Sequence, residues 1–221
     1  MERLEDLQIE QFKIFQDDEL YTFTSDSVLL SKFAKVKKGD VVADFCSGSG
    51  IVGLYLYALN RDKINSVTLF EMQKQLFELS KKTIDYNKLQ DVFLAVNTRV
   101  QETDHSYNGK FSLITCNPPY MPVGHGTVDA DERIALCRTE IALPLNELVK
   151  AISKCLKFGG RVALCHRADR LVDVIAEFRA NNIEPKRLQF VSSNKKEPYL
   201  FMIEGVKGGK SGIKIQNNIE N

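Results

Sequence analysis

Short apolar runs alternate along this chain with segments whose apolar residues recur every three or four positions. VVADFC (Val41–Cys46), SVTLFE (Ser66–Glu71), VFLAV (Val92–Val96), SLITC (Ser112–Cys116) and RVALC (Arg161–Cys165) read as strands. RLQFVS and YLFMIEG add two more toward the end. Leu145, Leu148, Val149, Ile152 and Leu156 mark an amphipathic helix, which Gly159-Gly160 is expected to terminate. Met72, Leu76, Leu79 and Thr83 repeat the helical spacing, as do Leu171, Val174, Ile175 and Phe178. GSGIVGLYLYALN reads as a turn entering a helix, and TSDSVLLSKFA as a helix with Thr24, Ser25 or Asp26 available as its cap. Apolar strands alternating with helices predict an α/β, doubly wound, mostly parallel sheet with helices on both faces. In such sheets ligands sit beyond the carboxyl ends of the strands. Two unusual segments fall at such ends: DFCSGSG (Asp44–Gly50) and NPPY (Asn117–Tyr120).

Composition narrows the class. With 221 residues, 43% of them hydrophobic and 27% charged, the chain can form one well-buried domain with an appendage. No apolar run approaches a membrane span, and MERLEDLQIE lacks the pattern of a secretory leader, so no membrane partner is expected. Five cysteines without a CxxC pair point to a reducing, cytoplasmic setting. Together with three scattered histidines they give no reason to expect a metal. Nothing fixes the oligomeric state, and a monomer is the expectation. The net charge of +1 hides an asymmetry, because residues 1–26 hold eight acids against Arg3 and Lys13. That segment therefore carries −6 and the remainder +7, which permits a basic face on the main domain.

The glycine loop alone admits more than one ligand. GSGIVG (Gly48–Gly53) matches the dinucleotide pattern, and Glu71 ends the next strand near the offset of a ribose-binding acid. The whole of DFCSGSG equally suits S-adenosylmethionine. Asp44 could hold an ammonium directly or through water, and Glu71 could accept from both ribose hydroxyls, at ~1.5–3 kcal/mol per charged hydrogen bond. A glycine turn that merely packs helix on strand is the plainer alternative.

NPPY separates these readings. Asn117 brings a side-chain carbonyl to a strand end, and Pro118 and Pro119 stiffen the chain after it. The Asn117 side-chain oxygen and the Pro118 carbonyl could each accept one N–H of a planar amine. These preset acceptors would stabilise the positive charge that grows as nitrogen gains a methyl group. Tyr120 offers a face for stacking on a base, worth ~1–3 kcal/mol. A simple Asn-Pro-Pro turn would need neither the tyrosine nor a neighbouring glycine loop.

DFCSGSG, Glu71 and NPPY together resemble the class I, Rossmann-like, S-adenosylmethionine-dependent amino-methyltransferases. Within that class the chain resembles the bacterial tRNA1(Val) adenine-N6 methyltransferase family. FTSDSVLLSKF, RIALCRTE (Arg133–Glu140), LCHRADRLVDVI, EPKRLQFV and IEGVKGGKSGIKI carry this closer likeness. The resemblance implies a seven-stranded sheet whose last strand is antiparallel, S-adenosylmethionine as cofactor, and tRNA as partner. It implies methyl transfer to N6 of the adenine beside the anticodon. Carried over, Asn117, Pro118, Pro119 and Tyr120 form the reaction motif. Asp26, Asp44, Ser47, Gly48, Gly50, Glu71, Met72, Asn97 and Asn117 are expected around the cofactor. Arg133, Arg138, His166, Arg167, Arg170, Lys207 and Lys210 are expected to meet RNA, mainly at phosphates. The chain departs from the family at NTRV, where Arg99 stands in place of an acid that serves the cofactor's adenine amine; the contact must then come from Asn97, from backbone, or be absent. The implied division is an acidic arm over 1–26, a methyltransferase domain over 27–206 and a basic, flexible tail over 207–221. The same chemistry on rRNA, on DNA adenine or on a protein glutamine is an alternative. A nicotinamide-dependent oxidoreductase and a non-catalytic RNA-binding module are alternatives from other classes.

Overall fold

A computed structural model describes residues 1–20, 22–119, 143–193 and 196–221. Strands β1 (Glu2–Asp6) and β2 (Lys13–Asp17) form an antiparallel hairpin. Then follow α1 (Ser25–Phe33), β3 (Asp40–Phe45), α2 (Ile51–Leu59), β4 (Ile64–Glu71), α3 (Lys74–Tyr86), β5 (Phe93–Asn97) and β6 (Phe111–Cys116). After the undescribed stretch come α4 (Leu145–Cys155), β7 (Leu156–Arg167), α5 (Leu171–Ala180), β8 (Ile183–Ser192) and β9 (Leu200–Lys207). Two short strands, β10 (Lys214–Ile215) and β11 (Ile219–Glu220), complete the described elements.

The sheet runs β10-β8-β9-β7-β6-β3-β4-β5, with β11 also on β8. Strands β3 to β7 pair in parallel, and β9 is antiparallel to both β7 and β8. The seven expected strands are thus present with the last one reversed, and β10 and β11 extend the β8 edge. Successive side chains explain the double cover. Val42, Leu69, Leu113 and Met202 pack into one core, and their neighbours Ala43, Phe70, Ile114 and Ile203 pack into the other.

Two features depart from the sequence pattern. Gly159-Gly160 do not end α4, which stops at Cys155; both lie within β7. A side chain on Gly160 would stand 2.8 Å from the Lys157 carbonyl and 3.1 Å from that of Phe111, where the β6–β7 register shifts. These glycines admit an irregular strand start, a use that looks identical to a helix stop in sequence. The second departure is the hairpin. Leu7, Phe12 and Ile14 are buried in the core shared by α1 to α3, so the acidic N-terminal stretch contributes to the body of the domain.

Candidate active site

The loops after β3, β4, β5 and β6 open at the same sheet end and enclose a cavity of about 290 Å³. Its wall includes Cys46–Ser49, Glu71–Gln73, Thr98–Gln101 and Asn117–Pro119. Phe23, Thr24, Asp26 and Ser27, from the start of α1 and the residues before it, supply another side. The glycine loop and the proline loop, 67 residues apart between Gly50 and Asn117, therefore face one space.

Backbone geometry explains the glycine loop. Gly48 has φ +56°, and a Cβ there would meet no atom within 4 Å. Its bare Cα leaves room at the cavity wall, so a ligand can come close to the backbone. Gly53 is needed for a different reason: a Cβ would stand 2.6 Å from Leu69 Cδ2, so its absence lets α2 lie against β4. Glu71 clasps the loop. Its Oε2 accepts from the Gly48 N–H at 2.8 Å, and its Oε1 accepts from the Gln73 N–H at 2.8 Å. Burial pushes its pKa up, against the lowering effect of these backbone N–H groups. Ser47 is 3% exposed, and among the described residues its Oγ has no hydrogen-bond partner.

Asp44 lies beneath this surface and does not line the cavity. Its carboxylate accepts from the Gly53 N–H at 3.0 Å and from the Thr115 hydroxyl at 2.7 Å. Burial pushes its pKa from the ordinary 3.8 up to about 7, with the charge of Glu71 acting in the same direction. The folded state thus holds this proton more tightly than the unfolded chain does. The stability Asp44 contributes is present below its ordinary pKa and is lost as pH rises through about 7. Asp44→Asn is expected to flatten the fall in unfolding free energy across this window, by at most ~1.4 kcal/mol per pH unit for one proton. Urea titrations at several pH values check this, and identical slopes for variant and wild type would refute it.

Asn117 sits half-buried between two elements. Its Nδ2 donates to Ser27 Oγ on α1 at 2.9 Å, and its Oδ1 accepts from the Cys165 thiol on β7 at 3.1 Å. Pro118 is buried and Pro119 half-buried beside it. The thiol of Cys116, next to Asn117, is buried and its pKa lies well above the usual range, chiefly through desolvation, so it remains neutral. Asp26, on the same wall, has its pKa raised by burial and accepts from the Tyr199 hydroxyl at 3.4 Å.

The remaining expected residues divide. Met72 lines the cavity, whereas Gly50 and Asn97 do not. Asn97 instead donates its amide to the carbonyls of Glu71, at 2.8 Å, and Met72, at 3.1 Å. Arg99 is on the cavity wall and lies 4.0 Å from Glu102. Tyr120, Arg133 and Arg138 fall outside the described residues. Arg167 ends β7 and Arg170 follows it; they are ion-paired with Asp169 and Asp173 respectively. His166 does not serve as a surface cation. It is 1% exposed, it stacks on Phe201, and desolvation lowers its pKa to about 4. Lys207 donates to the carbonyls of Ser153 and Leu156, at 2.6 and 2.9 Å, so its ammonium caps α4. Lys210 is exposed.

Sequence reasoning missed Ser27, Cys165 and Gln16. Gln16 is 1% exposed; its Nε2 donates to Ser49 Oγ at 2.5 Å and its Oε1 accepts from the Phe23 N–H at 3.2 Å. It thereby ties the hairpin to both the glycine loop and the α1 side of the cavity. The only signal was its alternation with Ile14 in KIFQD.

A sheet of this order, with a glycine-loop cavity beyond its central strands, defines the class I Rossmann-like methyltransferase fold. Residues 13–141 match the methyltransferase small domain, and the chain belongs to that family. A tRNA1(Val) (adenine(37)-N6)-methyltransferase of Shewanella putrefaciens is 30% identical over 158 residues. That match spans 69% of this chain but only 64% of the relative's length. Its namesake in Shewanella woodyi is 27% identical over 205 residues, spanning 89% of this chain and 82% of the relative. Among solved structures, a predicted O-methyltransferase of Agrobacterium tumefaciens superposes with a TM-score of 0.68 at 14% identity, covering 88% of both chains. Among the described residues, no helix is long and apolar enough to cross a membrane.

Proposed function

We propose that this chain is an S-adenosylmethionine-dependent methyltransferase that methylates the N6 amine of an adenine in the anticodon loop of tRNA. The observation that carries the reading is the convergence of the glycine loop and Asn117–Pro119 on one cavity. The names of the relatives supply the substrate half of it.

The residues present fit the cofactor. Ser47 Oγ is a buried polar atom without a partner among the described residues, which a bound polar group would satisfy. The bare Gly48 leaves the adjoining space clear. Glu71 can still accept from a ribose hydroxyl, since a carboxylate has about four acceptor positions and the backbone N–H groups of Gly48, Met72 and Gln73 take no more than three. Phe23, Met72 and Val100 give apolar wall for a flat ring. When bound, S-adenosylmethionine supplies an electrophilic methyl group on a sulfonium.

The chain's own contribution is orientation and charge. The oxygens of Asn117 and Pro118 accept the N–H bonds of the target amine and stabilise positive charge as it develops. The N-methylated product is acidic and loses its proton to solvent, so no buried base is required. Cys116 and His166 are both held neutral, and neither lines the cavity. An anticodon loop is single-stranded, so extracting the adenine costs least there. Arg167 and Arg170, at the carboxyl end of β7, meet phosphates, and Arg133, Arg138 and Tyr120 contribute to RNA binding; Lys210, beyond the carboxyl end of the antiparallel β9, lies at the other end of the sheet and is left out of this surface. The reaction is cytoplasmic, where tRNA is found.

The test is transfer of labelled methyl from S-adenosylmethionine into bulk tRNA and bulk rRNA, followed by mapping of the modified nucleotide. N6-methyladenine beside one anticodon is expected. Label confined to rRNA, or to another nucleotide, would overturn the substrate assignment.

A further inference from the structure

An asparagine amide has one end that accepts hydrogen bonds and one that donates, and the two are almost the same size. An amine substrate needs the accepting end. Rotation by a half-turn about the last side-chain torsion would present the donor end instead, and sterics oppose that rotation little. What decides the orientation is the chemistry of the two neighbours. Ser27 Oγ, 2% exposed, receives the Asn117 Nδ2 at 2.9 Å. Cys165 Sγ, 0% exposed, donates to Oδ1 at 3.1 Å. A half-turn would set the amide N–H against sulfur, a poor acceptor, while the Ser27 hydroxyl would turn from acceptor to donor; the thiol therefore sets the direction and the serine holds the amide in place. Both neighbours are themselves fixed. Ser27 lies in the first turn of α1, with its N–H on the Thr24 carbonyl at 3.1 Å and its carbonyl accepting from Ser31 Oγ at 2.8 Å. Cys165 is held in β7 between β6 and β9.

We propose that Ser27 and Cys165 are positioning residues that lock the Asn117 amide with its oxygen as the acceptor for the target amine. The inference rests on the methyl-transfer reading above. It explains why α1, which lies outside the glycine and proline loops, contributes a buried serine to the cavity wall. It also gives Cys165 a task that a packing residue of the same size would not perform.

The experiment follows the Asn117 side-chain NH₂ by NMR in full-length protein without cofactor, its signals assigned by their loss in Asn117→Ala. Turnover and calorimetric affinity for S-adenosylmethionine are measured alongside. Ser27→Ala is expected to speed solvent exchange of that NH₂ ~10-fold and to lower kcat ~10-fold, as suits loss of one buried hydrogen bond. Cofactor affinity should stay within ~2-fold, since the lock serves the target amine rather than the cofactor. Cys165→Ala is expected to lower kcat, and Cys165→Ser to recover most of the loss because a hydroxyl also donates. The proposal is overturned if Ser27→Ala leaves exchange and kcat unchanged, or if Cys165→Ser is as impaired as Cys165→Ala. A wild-type protein that shows the protected NH₂ but methylates no RNA would instead overturn the methyl-transfer reading on which it rests. The two cysteine variants keep the test decisive should Ser27→Ala fail to fold.

Discussion

Asn117→Ala is expected to lower methyl-transfer turnover ~10²–10³-fold, the cost of removing one preorganised group aimed at transition-state charge. Cofactor affinity should change far less, because Ser47, Gly48 and Glu71 surround the loop side of the cavity without help from Asn117. The target amine carries little charge before attack and a full positive charge after it, so an acceptor on its N–H bonds is strengthened along the reaction coordinate. Such a contact lowers kcat when lost and leaves ground-state binding nearly intact. Asn117→Asp separates acceptor from shape. It keeps an oxygen for the amine and lets the Ser27 hydroxyl donate instead of accept, so its turnover should fall between wild type and alanine. Single-turnover rates with saturating tRNA make the measurement. Turnover of the alanine variant within a few-fold of wild type would remove Asn117 from the mechanism.

The parts of the site that were legible in sequence are those set by local chain geometry. Val41–Cys46 and Ser112–Cys116 announce buried parallel strands by their largely apolar character, and their loops must then open at one end of the sheet. Glycine at 48 and 53 and proline at 118 and 119 declare backbone constraints that hold in any context. The illegible parts depend on contacts between distant segments. Ser27 and Asn117 are 90 residues apart, and a serine in SDS reads first as a helix cap. The hairpin was obscured by its acids, which mark the solvent face of strands whose other face buries Ile14 and Gln16. His166, in a run of cations, read as one of them. Its burial against Phe201 follows from its place in the run Gly160–His166, which is covered on both faces of the sheet and ends at the exposed Arg167. Asp44 is the instructive intermediate. Its position at a strand end was legible, but its carboxylate is spent on Gly53 and Thr115, so it organises the loop from below.

Glu71→Gln is expected to weaken S-adenosylmethionine binding ~10²-fold, although it changes one atom. The carboxylate of Glu71 accepts from two backbone N–H groups, Gly48 and Gln73, with one oxygen each. A glutamine has a single acceptor end, so its NH₂ must face one of those donors. One N–H then loses its partner within a buried site, which costs ~1–3 kcal/mol. If the amide oxygen stays on Gln73, the Gly48 turn is released and the bare backbone at the cavity wall is no longer preset. If it stays on Gly48, the start of α3 loosens instead. The ribose hydroxyls lose a charged acceptor in either case, at ~1.5–3 kcal/mol. These losses share one side chain and overlap, so the sum is set nearer to ~2.7 kcal/mol, or two factors of ten in affinity. Because the folded state raises the Glu71 pKa, removing its charge also relieves a desolvation cost, and the variant should remain folded. Calorimetry at neutral pH with S-adenosylmethionine, and thermal unfolding without it, provide the two readings. A variant that binds the cofactor within threefold of wild type would show that Glu71 neither meets the ribose nor shapes the glycine turn.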